Sequence, residues 1–271
     1  MSSAAPTIVP ARTFRLRQVA LPTEHGAWGF LLEPLVAALV IAFSSGGIWI
    51  SVMVIGAFLA RRPPQVFINQ RNSPAGEMRA AALKFFAVFS LIAAIGLGGA
   101  LLTSSLTVLI PLATALPIAV FQLYIESTTR GRQLVSELSG ALVMPASASS
   151  IILAEGGGWP FAAAVWFLFA ARFVPSILYI RNRLNLEKGK ASSMVLPAVA
   201  HVAALISVGL IAFTGYLPML VIPAFALLLA RSIYGLSRYR KRVKAMKIGV
   251  SEVVYGLVVV ASLIIGHLFS F

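Results

Sequence analysis

The chain has 271 residues, of which 59% are hydrophobic and only 11% charged, with a mean hydropathy of +0.92; soluble domains carry about 25% charged residues, so an ordinary soluble fold is excluded. Its 22 Lys and Arg against 8 acids leave a net charge of +14, yet so apolar a chain has no room for a large water-soluble basic body, and no nucleic-acid partner is expected. There is no Cys and no Asp, which excludes thiolate, disulfide and aspartate-rich metal chemistry.

Residues 1–21, with Pro6, Pro10, Arg12, Arg15 and Arg17, read as a basic cytoplasmic tail, and residues 22–271 as one transmembrane domain. A bilayer core about 30 Å thick asks for about 20 mostly apolar residues per helix. Nine segments answer that description: 26–44, 46–61, 80–102, 105–124, 133–154, 158–180, 193–213, 216–235 and 249–270. The first opens on Pro22-Thr23-Glu24-His25-Gly26-Ala27-Trp28-Gly29. Thr23 or Glu24 suits a helix cap and Trp28 an interfacial anchor; the competing use is proton transfer by Glu24 and His25 at the membrane surface. Glu33, before Pro34, is an expensive residue for anchoring alone, and with Glu24 and His25 it argues against a cleaved signal peptide.

After the second span comes Pro63-Pro64-Gln65-Val66-Phe67-Ile68-Asn69-Gln70-Arg71, and at the end of the sixth Pro175-Ser176-Ile177-Leu178-Tyr179-Ile180-Arg181-Asn182-Arg183. Both read Pro, three residues, an aromatic, Ile, two residues, Arg, which suggests two related halves whose corresponding loops face each other. In the fifth span Gln133, Glu137, Gly140, Met144 and Ser147 share a helical face, preceded by Arg130 and Arg132. Glu137 either pairs with one of the Arg residues or acts as a base. In the sixth, Arg172, Ser176, Tyr179 and Arg183 fall at i, i+4, i+7 and i+11 on one face. Arg172 either snorkels to the interface or lines a wet cavity and binds an anion. The three His residues, His25, His201 and His267, lie at different depths, so haem ligation is not expected, nor is any other cofactor.

The breaks between spans alternate. Ser44-Ser45-Gly46-Gly47, Thr103-Ser104-Ser105, Glu155-Gly156-Gly157-Gly158 and Thr214-Gly215 contain no Lys or Arg, and all 22 basic residues fall on the other side. The positive-inside rule then puts the amino terminus in the cytoplasm and, after nine crossings, the carboxyl terminus outside.

Nine helices with polar loops after the second and sixth resemble the UbiA superfamily of intramembrane prenyltransferases. The phrases Glu24-His25-Gly26-Ala27-Trp28 and Arg172 to Arg183 resemble the YwiC-like membrane proteins. The UbiA resemblance implies a magnesium-bound prenyl diphosphate on Asn-Asp, two residues, Asp, three residues, Asp after helix 2. Here the matching stretch runs from Asn69 to Glu77, keeps only Asn69, and offers Glu77 as a conservative replacement. Before Gly189 the places of the second Asp motif hold Arg181 and Asn185, with Glu187 nearby. Residues 61–84 and 172–190 each carry five basic groups and one Glu, a net +4 apiece, which would repel magnesium and attract an anion directly.

The resulting expectation is an all-α polytopic protein of a bacterial inner membrane: a UbiA-like bundle of nine transmembrane helices without a dedicated metal. It binds an anionic or isoprenoid lipid, with Arg62, Asn69, Arg71, Asn72, Glu77, Arg79, Arg130, Arg132, Arg172, Ser176, Tyr179 and Arg183 around the headgroup. If it transfers a prenyl or lipid group, Glu24, His25 or Glu137 supplies acid or base. The alternatives are a carrier of an organic anion, with Glu33 and His201 as proton-coupling groups, and a noncatalytic assembly partner whose protein partners the sequence does not name.

Overall fold

In hydrocarbon the backbone can bond only to itself, so apolar sequence of this length has helix as its open-chain solution. In the computed structural model, which describes residues 25–69, 76–129 and 133–269, every regular element is helical. In chain order these are α1 (His25–Ile41), α2 (Ser45–Ala60), α3 (Arg62–Asn69), α4 (Gly76–Thr103), a 3-10 turn (Leu106–Leu109), α5 (Ile110–Thr128), α6 (Leu134–Val143), α7 (Ala146–Glu155), α8 (Trp159–Glu187), α9 (Val195–Phe213), α10 (Val221–Leu236) and α11 (Ala245–Leu268).

Among the described residues six stretches are long and apolar enough to cross a bilayer: Met78–Thr103, Leu106–Thr128, Leu134–Glu155, Trp159–Glu187, Val195–Phe213 and Ala245–Leu268. The chain is an integral, polytopic helical membrane protein. The first, second and eighth expected spans are helices of 17, 16 and 16 residues, about 24 to 26 Å at 1.5 Å per residue and short of a 30 Å core.

Three expectations need correction. The fifth span stands over Leu134–Glu155 but is built of two helices, broken at Met144-Pro145, because Pro145 has no N–H to continue the ladder. The indole N–H of Trp166 donates to the Leu142 carbonyl just before the break, at 2.8 Å. The polar segment after the second span is the helix α3, whose Pro63 and Pro64 sit in its first turn, where a missing N–H costs nothing. The polar segment at the end of the sixth span is helical too, since α8 runs on to Glu187, and the loop to α9 is confined to residues 188–194, opening at Gly189 with φ +73°.

Burial divides the helices by face. On α1, Leu31, Leu35, Ala37 and Ala38 are buried while Leu32, Val36 and Val40 are exposed. α8 is the hub, packed by α6, α7, α9, α10 and α11, with Leu168, Phe169 and Phe173 fully enclosed. α1 lies between α11 and α7, and its Phe30 ring meets Phe173 at 4.5 Å between centroids.

The closest helix pair is α2 with α4, and glycine makes it possible. A Cβ at Gly96 would stand 2.3 Å from the Met53 nitrogen, and one at Gly56 2.5 Å from the Ala93 nitrogen, whereas Gly98 has nothing within 4 Å. Gly96→Ala is therefore expected to push the helices apart and to cost about 1–3 kcal/mol. Gly98→Ala should be neutral or add up to about 1 kcal/mol through helix propensity. Thermal unfolding in detergent checks the pair, and equal effects would contradict this packing.

Candidate functional site

The central helix supplies the axis of the site. Its stripe Arg172, Ser176, Tyr179 and Arg183 is buried along its whole length, as the spacing requires. Arg172, 1% exposed, is the largest of the fully enclosed side chains, and an ion at that depth must find partners in the chain. Two carboxylates answer it: Glu33 of α1, with Oε1 3.6 Å from Nη2, and Glu252 of α11, with Oε2 3.6 Å from Nη1. Arg172 Nη1 donates to Ser176 Oγ at 2.5 Å, and Nη2 donates to the Glu252 backbone carbonyl at 3.0 Å.

A second arginine, Arg231 of α10, completes the network. Its Nη1 meets Glu252 Oε1 at 2.5 Å, its Nη2 reaches Ser176 Oγ at 3.3 Å, and its guanidinium lies over the rings of Tyr179 and Tyr255, 4.4 and 4.8 Å from their centroids. His201 of α9 closes the circle. Its Nδ1 lies 2.7 Å from the Pro197 carbonyl, which assigns the ring proton to Nδ1 and leaves Nε2 as an acceptor 3.5 Å from Arg231 Nη2.

Four helices thus deliver two guanidinium and two carboxylate groups to one place, and α9 adds His201. With all four ionised the sum is zero. The set is nevertheless incompletely bonded: Glu33 Oε2, Glu252 Oε2, Arg172 Nε and Arg231 Nε are buried without a hydrogen-bond partner. Each such atom costs about 1–3 kcal/mol, so the four ions are not fully satisfied by one another.

At the basic end of the bundle two further carboxylates, Glu126 and Glu137, tie helices together. Glu126 of α5 accepts from Gln65, from Gln122 at 2.9 Å and from Ser136 at 2.7 Å, with Arg61 Nε at 3.7 Å. Glu137 pairs with Arg181 at 3.0 Å. Arg183 donates to the Gly235 and Lys241 carbonyls and pairs with Glu187 at 2.9 Å, so it fastens the segment after α10.

The expected headgroup residues are distributed among several environments. Arg172, Ser176 and Tyr179 belong to the ionic network. Arg183, about 16 Å further along α8 at 1.5 Å per residue, belongs to the α10 cap. Arg62 reaches Gln65 at 3.4 Å, and Arg79 lies over Phe67, 4.6 Å from its centroid. Glu137 holds a salt bridge. Glu24, Arg71, Asn72, Arg130 and Arg132 lie outside the described residues, as do the side chains of His25, Asn69 and Glu77. Among the described residues no group of three or more His, Cys, Asp or Glu could hold a metal ion. Sequence reasoning passed over Arg231, Tyr255 and Glu252. The signal was present, since Glu252 and Arg231 each interrupt an apolar span, and such residues rarely lack a partner.

The family comparison bears on the first part of this arrangement. Over residues 21–152 the chain matches the YwiC-like protein family model. That match bears out the resemblance carried by Glu24-His25-Gly26-Ala27-Trp28. No curated protein and no solved structure matches the chain. The YwiC-like stretch ends within α7 and so contributes Glu33 to the network, while Arg172, His201, Arg231 and Glu252 all come from the part of the chain that follows.

The network predicts a strong non-additivity. Arg231→Met alone leaves Glu252 without its closest cation and should cost about 3–5 kcal/mol, as should Glu252→Met, whereas the double variant recovers most of that loss. Arg61→Met, at a partly exposed pair, should cost under about 1 kcal/mol. A double-mutant cycle read by unfolding in detergent checks this, and simple additivity would mean the pair is not coupled.

Proposed function

We propose that this protein is a membrane carrier for a small organic anion, with the ionic network as its binding site and a proton travelling with the anion. The observation that supports this reading is the convergence of Glu33, Arg172, Arg231, Glu252 and His201 inside the bundle. Ionisable residues within membrane spans mark ion pathways, proton relays and counter-ions far more often than they serve stability. Charge balance then dictates the coupling. The site sums to zero with its four charges ionised, so an entering anion would leave an uncompensated negative charge in a poor solvent for charge. A proton arriving on Glu33, Glu252 or His201 removes that penalty. In this reading the basic ends of the helices face the cytoplasm, as the distribution of Lys and Arg requires, and the short helices α1, α2 and α10 cross as well, giving nine crossings.

The expected outcome is measurable without knowing the natural substrate. In detergent, members of a panel of small carboxylates, phosphate and sulfonates should raise the melting temperature of the wild-type protein, and more at pH 5.5 than at pH 7.5, because the proton and the anion enter together. Binding at 100 times Kd adds about 2.7 kcal/mol of stability. Arg172→Gln should lose the effect. If no anion stabilises the protein, or if Arg172→Gln responds like wild type, the reading fails.

A second reading, a protein that holds an anionic or isoprenoid lipid and possesses a prenyltransferase-like architecture, is favoured by an apolar groove of about 320 Å³. Ile118, Leu142, Ala163, Trp166, Phe167 and Ala170 line it, between α5, α6 and α8. Its size and lining suit part of a hydrocarbon chain. On this reading a specific lipid copurifies with wild type and is reduced in Trp166→Ala, as mass spectrometry of extracted lipid would detect; equal lipid content counts against it.

A further inference from the structure

The two carboxylates of the network are held very differently, and the difference identifies which one moves. Glu252 is fastened twice. Its Oε1 meets Arg231 Nη1 at 2.5 Å, and its own backbone carbonyl takes the Arg172 Nη2 hydrogen at 3.0 Å. Among the described residues Glu33 has no hydrogen bond to any cation, and its one ion pair, to Arg172, is 3.6 Å long. Its Oε2, like Glu252 Oε2, is buried without a hydrogen-bond partner, but Glu33 has no counterpart to the short bond that Glu252 Oε1 makes to Arg231. What keeps it in place is shape. A Cβ at Gly256 would lie 2.0 Å from Glu33 Oε1 and 2.4 Å from its Cδ, so the missing side chain at Gly256 is the space in which the carboxylate rests. Arg172 in turn has Ser176 on Nη1 and the Glu252 carbonyl on Nη2, while its Nε has no partner. The Nε edge of a guanidinium is one of the two that receive a planar carboxylate on two parallel N–H bonds.

We infer that Glu33 is a resident stand-in for the carried anion, and that the anion is a carboxylate which takes its place beside Arg172 when Glu33 accepts a proton. This rests on the carrier reading and narrows it to one substrate class and one proton site. The balance closes. In the resting state two guanidinium ions face two carboxylates; in the loaded state they face Glu252, the substrate carboxylate and an uncharged Glu33. One proton therefore enters with each carboxylate, and the net charge stays at zero. The groups that surround Glu33 agree with this division. α8 presents Arg172, α10 presents Arg231 and α11 presents Glu252, all through space; beyond Arg231 stand His201 of α9 and Tyr179 of α8, with Tyr255 of α11 on its other side. Arg231 holds Glu252 at 2.5 Å and lies over its two rings, whereas both carboxylate contacts of Arg172 are 3.6 Å long, so Arg172 is the cation that exchanges a carboxylate with the smaller loss. Pro34, next in sequence, removes one backbone bond from α1 and leaves that helix with a weak point beside the moving group.

Acetate is the probe, with sodium chloride for ionic strength and inorganic phosphate for anion class. In the full-length wild-type protein the apparent affinity for acetate, read from melting temperature, should fall up to tenfold per pH unit as Glu33 loses its proton. Glu33→Gln should bind acetate with a flat pH profile over the same range. Gly256→Ala, which keeps Glu33 but fills its resting space, should flatten the profile in the same way. The double variant Glu33→Gln/Arg172→Met should no longer respond to acetate. Stabilisation by acetate with a pH profile unchanged in Glu33→Gln or Gly256→Ala overturns the inference, and so does acetate acting no better than chloride on wild type. Should both single variants fail to fold, the wild-type profile with acetate and chloride decides alone: a slope supports the inference, and a flat profile refutes it. If phosphate stabilises wild type through Arg172 and acetate does not, the carrier reading stands and the carboxylate exchange falls. If no anion acts, both fall.

Discussion

Neutralising Arg172 is the constraint from which the rest of the molecule follows. The side chain is enclosed on the most central helix, where neither water nor the bilayer can compensate a guanidinium. Apolar helices in lipid have little reason to choose one rotation over another, since a hydrocarbon tail is as apolar as leucine. The ionic network removes that freedom. For Glu33, Glu252 and Arg231 to reach the same place, α1, α11 and α10 must each present one particular face to α8. The pairs therefore act as orientation devices, and the small residues that line the contacts, Ala37 and Ala38 on α1 and Gly256 on α11, permit the approach the charges demand.

The same principle orders the basic end in a more forgiving medium. Glu126 and Glu137 are partly exposed, and their partners Arg61 and Arg181 are too, so those contacts adjust the joints between α2, α5, α6 and α8 at small energetic stake. Arg183 is the exception. Buried, and bonded to two backbone carbonyls, it converts the end of α10 into a fixed corner. That corner sits four residues beyond Arg231 in α10, so the cation of the inner network and its helix terminus are both anchored to α8.

Much of the architecture was legible in the sequence because bilayer physics is simple. A run of apolar residues becomes a helix, and the stripe from Arg172 to Arg183 lies on one face because 3.6 residues make a turn. The partners were not legible, because spacing within one helix says nothing about which other helix will face it. Glu252 is 80 residues from Arg172, and Arg231 stands at the head of a long basic run in which it looks like one more inner-face charge. Local signals were also passed over: Pro63-Pro64 reads as a break when sought in a loop and as a start when sought in a helix, and nothing between Pro175 and Gly189 gives α8 a reason to stop. Pro145 was visible, but a break of two residues inside an otherwise apolar stretch leaves the span length unaltered.

The division of labour between long and short helices follows from these lengths. α8 and α11, with 29 and 24 residues, carry Arg172 and Glu252, and Glu252 is bonded in turn to Arg231 of the 16-residue α10. α1, with 17 residues and an internal proline, carries Glu33. A helix shorter than the hydrocarbon layer draws the bilayer thinner around itself or leans, so a polar group on it lies closer to an interface than the same group on a full span. Placing the loosely held carboxylate on the helix that an internal proline weakens, against the long pair of α8 and α11, is the arrangement in which one group can change partner while the remaining charges keep the bundle in alignment.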